Sequence, residues 1–327
     1  MNPLHVLLSL AKGYGLGDCV QVSAVLRHLK KHRPHWTIDY QAEEGRHQVG
    51  RGLVSETFAY GAPYPRNHYD AEFQILLFDT WYGWHDRPNT RVASCLHERF
   101  GLPWDAACGR YYVEVWPDAV RSARAAMYGI QADRERNPGA RFVAVHYQGD
   151  SSGPKKDLTH GQADRVCEAI EQLGYIPVIL DWRDRSPLHY RRLTSPTDWG
   201  KNAEMVCAVI SQCAAFVGID SGPSKCASAT DTPSLVVWTG HHPAPFHDPA
   251  PNTTHLVPHG YHSLEPVCGN PGVVGWFEEH YNVRHYERDP VREVAAWLEE
   301  KLRAHERPST ATIGWDTGTA QATGHSR

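Results

Sequence analysis

Val217-Gly218-Ile219-Asp220-Ser221-Gly222-Pro223-Ser224-Lys225 reads as a short apolar strand that runs into a tight turn and then into a helix with proline near its start. Free backbone N–H groups and the positive end of the helix dipole make such a turn a seat for an anion. Ser221 and Ser224 offer hydroxyl donors, Gly222 lets a ligand approach the backbone, and Lys225 brings a full charge. The alternative is an ordinary capped helix after a strand.

On either side the unit repeats. Upstream, Phe142 to Tyr147 is a strand, Gly161 to Leu173 a helix, Ile176 to Leu180 a strand, Ala203 to Cys213 a helix and Ala215 to Ile219 a strand; downstream, Ser234 to Trp238 is another strand. Before them lies a similar array: His5 to Leu10, a glycine-rich turn, a helix from Cys19 to His32, strands at Trp36 to Gln41, Thr57 to Tyr60 and Glu72 to Phe78, and helices at Arg91 to Phe100 and Ala119 to Tyr128. The polar stretch Gln131 to Ala140, ending in Asn-Pro-Gly, divides the two arrays. Strands alternating with helices give parallel sheets, and two such arrays predict an α/β protein of two Rossmann-like domains facing across a cleft at their strand ends. The expected division is 1–132 for the first domain, 133–288 for the second, 289–303 for a C-terminal helix opened by Asp289-Pro290 and packing back toward the first domain, and 304–327 for a disordered tail rich in Thr, Ala, Gly and Ser.

The composition of the 327 residues fits two soluble domains: 41% are hydrophobic and 21% charged. A net charge of −4 with scattered Lys and Arg gives no footprint for nucleic acid or an anionic membrane. No run of apolar residues is long enough to span a bilayer, and the start Met1-Asn2-Pro3-Leu4-His5 lacks the features of a secretory signal, so the cytoplasm is the expected compartment. Eight cysteines without a CxxC pair predict reduced thiols and no disulfides. The 21 histidines, including His241-His242, His255, His259, His262 and His280, match no zinc spacing together with Cys268, and read as scattered surface residues; no metal and no cofactor is expected.

Two further loops carry chemistry. Gly149-Asp150-Ser151-Ser152-Gly153-Pro154-Lys155-Lys156 follows a strand and precedes a helix, and its hydroxyls and paired lysines suit a diphosphate, although alone it also reads as a solvated surface loop. In Gly13-Tyr14-Gly15-Leu16-Gly17-Asp18 the carboxylate stands at a helix start, either as a cap or as a general base on a hydroxyl. The aromatic run Trp81-Tyr82-Gly83-Trp84-His85 reads as packing.

In order along the chain, these stretches resemble glycosyltransferase family 9, the ADP-heptose:lipopolysaccharide heptosyltransferases and their relatives. The matching residues are Gly15-Leu16-Gly17-Asp18, Tyr69-Asp70, Ser151 to Lys156, and Asp220-Ser221-Gly222 followed by Ala227, Ala229 and Pro233. The family's histidine three residues after its D-S/T-G is Lys225 here, and of its distal cysteine cluster this region keeps Cys268. The resemblance implies a GT-B fold and an inverting transfer, without a required metal, from a nucleotide diphosphate sugar such as ADP-heptose to an acceptor hydroxyl. By carry-over Asp18 is the catalytic base and Lys155 or Lys156 binds the donor phosphates. Ser151, Ser152, Asp220, Ser221, Gly222, Ser224 and Lys225 line the diphosphate seat, and Gly15 and Gly17 form the first turn. Its partners are then a nucleotide-sugar donor and a glycan or other hydroxyl acceptor. A nucleotide-sugar epimerase of the same fold and a catalytically idle nucleotide-sugar-binding protein are the alternatives.

Overall fold

A computed structural model describes residues 4–77, 90–128, 141–150, 155–193, 202–265, 267 and 271–306. The expected loop residues Ser151 and Ser152, the run 81–85, Cys268, the stretch 131–140 and the tail from 307 lie outside them.

Two fully parallel sheets organise the chain. The first contains β1 (Leu4–Leu10), β2 (Trp36–Ala42), β3 (Glu56–Ala59) and β4 (Ala71–Ile75) in the order β3-β2-β1-β4. The second contains β5 (Phe142–His146), β6 (Ile176–Leu180), β7 (Arg191–Leu193), β8 (Ala215–Ile219), β9 (Ser234–Val237), β10 (Thr253–Pro258) and β11 (Asn282–Tyr286) in the order β11-β10-β9-β8-β5-β6-β7. The order reverses between β1 and β4 in the first sheet and between β5 and β8 in the second. Loops diverge at such switch points, which opens a crevice beyond the carboxyl ends of the strands. The two-layer α/β architecture is therefore the one expected from the alternating pattern.

Helices cover the sheets: α1 (Leu16–His32), α2 (Arg91–Phe100), α3 (Ala106–Gly109), α4 (Pro117–Tyr128), α5 (His160–Gln172), α6 (Ala203–Ile210), α7 (Gly222–Ala229), α8 (Pro243–Phe246), α9 (Pro271–His280) and α10 (Val291–Glu306). Local chemistry sets their starts. Thr90 Oγ1 accepts from the Ala93 amide (3.1 Å), Thr159 Oγ1 from the Gln162 amide (3.2 Å) and Asn202 Oδ1 from the Met205 amide (3.2 Å), each bonding a first-turn donor.

One apolar core joins the layers. It runs from Val6, Leu8 and Ile38 through Val22, Leu26 and Ala123 to Val206, Ile210, Phe216 and Cys226 without interruption, with α1 and α4 packed on α7 and α6. The outer face of the second sheet buries Val145, Val217 and Leu256 against Val294, Trp297, Leu298 and Leu302 of α10. Here the sequence expectation fails, because α10 lies on α5 and β8, not against the first layer. Its apolar stripe at 294, 297, 298 and 302 completes the second sheet's uncovered face, and Trp297 Nε1 donates to Thr254 Oγ1 (3.1 Å). Smaller differences are at element ends: α6 stops at Ile210, short of Cys213, and β4 at Ile75. No elements were expected at β7, β10, β11, α3, α8 or α9. Buried polar positions such as Thr253, Thr254 and His255 hide their apolar pattern.

The described histidines are not all at the surface either. His28, His146, His242, His247 and His255 are buried, the last three in an aromatic cluster with Trp238, Tyr261, Phe277 and Tyr281. Burial drives His242 and His247 down to about 3. Both are neutral in the folded state and charge in the unfolded chain below pH 6.5, so their stability contribution is present at neutral pH and lost as the pH falls from 6.5 toward 3. Burial pushes Asp248 the other way, to about 6, and this opposes part of the effect between pH 4 and 6. Between pH 7 and pH 5 each histidine should remove about 2 kcal/mol and Asp248 should return about 1 kcal/mol. Thermal melts at the two pH values should show a drop of several degrees on acidification, and His242→Gln should flatten the dependence. An unchanged slope in that variant would contradict the assignment.

Candidate active site

The carboxyl ends of β1 and β8 lead into α1 and α7, and the two helix starts meet. A Cβ added to Gly222 would lie 2.8 Å from Leu16 Cβ and 3.1 Å from the Gly17 nitrogen, and one added to Gly17 would lie 2.9 Å from Lys225 Cδ and 3.3 Å from Gly222 Cα. Only paired glycines allow this approach. The sequence reading brought Gly17 and Gly222 to the same cleft; the structure puts them in contact.

Asp18 stands in the first turn of α1. Its Oδ2 accepts from the Gly15 amide (3.0 Å) and its Oδ1 from Arg91 Nη1 (2.7 Å). The capping role left open in the sequence is thus realised, while a carboxylate with four lone-pair sites keeps further capacity. Arg91 is the residue that sequence reading missed. It opens α2, where a cation opposes the helix dipole, and that misfit was the available signal that its charge has a partner elsewhere. Burial lowers its pKa, with Asp18 and then Asp220 acting in the opposite direction.

Asp220, at the end of β8, is buried among cations. Lys225 Nζ donates to Oδ1 (3.0 Å), Lys156 Nζ lies 2.8 Å from Oδ2, and His241 Nδ1 is 3.9 Å from the same oxygen. Burial raises the carboxyl's pKa, but Lys225, His241 and Lys156 outweigh it and hold the group well below the usual carboxylate range. Lys225, expected to face a ligand, is buried and engaged as an internal counter-ion of Asp220. The turn itself is partly self-satisfied: Ser224 Oγ donates to the Ser221 carbonyl (2.7 Å) and accepts from the Ser221 amide (3.3 Å), while Ser221 Oγ donates to the Ile219 carbonyl (3.2 Å). Ser224 is fully buried and Ser221 and Gly222 are half-buried.

Phe246 links the two halves. Its ring carries Arg91 at 4.4 Å and Lys156 at 5.6 Å and stacks with His241 at 5.1 Å, and its carbonyl accepts from Gln21 of α1 (3.1 Å). Lys155 is exposed, and its carbonyl accepts from Thr239 Oγ1 (2.8 Å) after β9. A Cβ at Gly240 would sit 2.6 Å from that carbonyl, so glycine there lets the lysine loop reach the β9 turn. Tyr69-Asp70 has a structural part: Asp70 Oδ2 accepts from the His5 amide (2.8 Å) and Tyr69 donates to Asp39 (2.9 Å). Among the described residues, no group of three or more His, Cys, Asp or Glu side chains is arranged to hold a metal.

Removing the Asp220 charge leaves two ammonium groups facing each other in a buried site. Asp220→Asn should cost about 3–5 kcal/mol, as breaking a buried pair does. Urea melts should show it, with Lys225→Met added to the same variant recovering part of the loss; a cost within 1 kcal/mol would refute the buried network.

No protein-family model and no curated protein matches the chain in sequence. Solved structures do match its fold. The glycosyl transferase family 9 protein from Veillonella parvula superposes with a TM-score of 0.62 at 12% identity, covering 93% of this chain and 98% of that one. ADP-heptose lps heptosyltransferase II of E. coli gives 0.61 at 12% identity, with 93% and 100% covered. The E. coli heptosyltransferase WaaC with ADP gives 0.50 at 12% identity, with 85% and 100% covered. The chain thus has the two-sheet GT-B fold of these proteins over most of its length.

Proposed function

We propose that this chain is an inverting, metal-independent glycosyltransferase that moves a sugar, heptose-like in the first instance, from a nucleotide diphosphate donor to an acceptor hydroxyl. The observation that carries the reading is the meeting of the Asp18 turn with the Asp220 turn and the Lys156 loop at the switch points of both sheets. The fold shared with heptosyltransferases, one of them solved with ADP, makes ADP-heptose the first donor to test.

In this reading residues 1–132 carry the acceptor side and 133–288 the donor side. Asp18, oriented by Arg91 and the Gly15 amide, takes the acceptor proton as the acceptor oxygen attacks the anomeric carbon. The bond from that carbon to the diphosphate breaks with its electron pair on the phosphate oxygen. Lys155, Lys156, the Ser151-Ser152 loop and the α7 amide end around Ser221, Gly222 and Ser224 stabilise the departing charge. Lys225 acts one step back, by fixing Asp220 and the turn. The cytoplasm is the proposed compartment: no described helix is long and apolar enough to cross a membrane, and the seven described cysteines are free and buried.

Purified protein offered a panel of nucleotide sugars that includes ADP-heptose should release the nucleoside diphosphate and transfer the sugar. Asp18→Asn, which can still cap α1 but leaves the Arg91 guanidinium without its carboxylate, should lower kcat about 100-fold or more in protein that is still folded, along with a lower melting temperature; an unchanged kcat in the folded variant would contradict the base role. Interconversion of the donor sugar without acceptor would point to an epimerase instead. Absence of both binding and turnover across the panel would sink the reading.

A further inference from the structure

Among the charged side chains at the junction of α1 and α7, exposure separates support from contact. The side chains of Asp220 and Lys225 are each 6% exposed, Arg91 8%, Lys156 12% and Asp18 17%, whereas His241 is 23% exposed. His241 is thus the most open member of the interlocked set, and it belongs to no motif that suggested a function. It follows β9, on the turn that the Lys155 loop abuts through Thr239 and Gly240. Two neighbours bound its ring: Nδ1 lies 3.9 Å from Asp220 Oδ2, and the face stacks on Phe246 at an interplanar angle of 30°.

We propose that His241 is a donor-contacting residue, whose Nε2–H donates a hydrogen bond to the terminal phosphate of the nucleoside diphosphate; this rests on the glycosyltransferase reading. A carboxylate beside one imidazole nitrogen biases the ring's orientation and leaves the other nitrogen to act on a ligand. Of the neighbouring cations, Lys225 is held by Asp220 and Arg91 by Asp18, while Lys156, which the proposed reading turns toward the departing phosphate, also pairs with Asp220. His241 can therefore turn its outer nitrogen to an anion without breaking a buried pair. It also stands one residue before His242, whose side chain accepts from the Ala244 amide (3.2 Å) at the start of α8 and is fully buried. Adjacent histidines so divide the work, the second holding the loop and the first facing out from it.

The experiment compares binding by calorimetry. ADP, GDP, UDP and CDP are titrated into the wild type, and the tightest binder and its parent nucleoside are then titrated into His241→Asn and His241→Gln. Asn can place a donor near the Nδ1 position and has nothing at Nε2, while Gln reaches the Nε2 position. His241→Asn should weaken diphosphate binding about tenfold or more, as expected for loss of a hydrogen bond to a charged group, and leave nucleoside binding unchanged. His241→Gln should stay within about threefold of wild type. Equal, wild-type affinity in both variants overturns the inference and leaves the glycosyltransferase reading standing. Equal loss in both overturns the Nε2 contact, and weakened nucleoside binding overturns a role confined to the phosphate. If the wild type binds none of the four diphosphates, the glycosyltransferase reading fails and this inference fails with it.

Discussion

Two helix N-termini held in contact at Gly17 and Gly222 are the constraint on which the rest of this structure depends. Each start carries a partial positive charge from its unpaired amides, so their approach is unfavourable unless anions stand between or beside them. Asp18 and Asp220 fill that role. Each is the carboxylate of its own turn, and each is placed where the like poles of α1 and α7 meet. Lys225 and Lys156 then follow as counter-ions for an Asp220 carboxylate that burial alone would drive toward protonation, and Arg91 pairs with Asp18. On the proposed reading functional and structural demands coincide here: the groups assigned to proton transfer and phosphate binding are also those that let the two layers close.

The same junction explains why the interface is so continuous. One apolar cluster reaches through α1, α4, α6 and α7, and Asp248, Tyr111 and Phe246 tie the loops at its edge. Asp248 donates its amide to the Tyr111 hydroxyl (2.7 Å), while Glu204 of α6 reaches both Arg51 (2.9 Å) and the Trp116 amide (3.0 Å) across the layers. Buried polar groups of this kind specify one register of the layers, because any slip strands a charge or a donor away from water. Phe246 gives the arrangement its shape. An aromatic ring offers its faces to cations and to other rings, and so gathers Arg91 at 4.4 Å, Lys156 at 5.6 Å and the His241 ring at 5.1 Å.

Much of the architecture was legible from one dimension. The strand Ala215–Ile219, the turn at Asp220 and the helix after it could be read from an apolar run, a Gly-Pro pair and the flanking hydroxyls, because strand and helix periods are local properties. Arg91–Phe100 and Ile176–Leu180 fell where their patterns put them for the same reason. β10 and β11 escaped because Thr253, Thr254, His255 and Arg284 interrupt the apolar pattern, and their burial comes from neighbours distant in sequence. The side on which α10 packs was equally hidden: its stripe at 294, 297, 298 and 302 announces a helix with one apolar face and says nothing of which sheet lacks a cover.

The sequence by itself determined the parallel two-sheet class, the three loops that gather at strand ends, and the presence of a carboxylate and a lysine in them, since these are matters of residue type and short-range spacing. Tertiary structure alone decided how the charges pair. Lys225 turned inward to Asp220, Arg91 came from an unremarked helix start to hold Asp18, and His241 became the open edge of the cluster. Asp18 and Arg91 stand 73 positions apart, a separation that no local pattern encodes, and burial sets whether a cation serves a ligand or a neighbour.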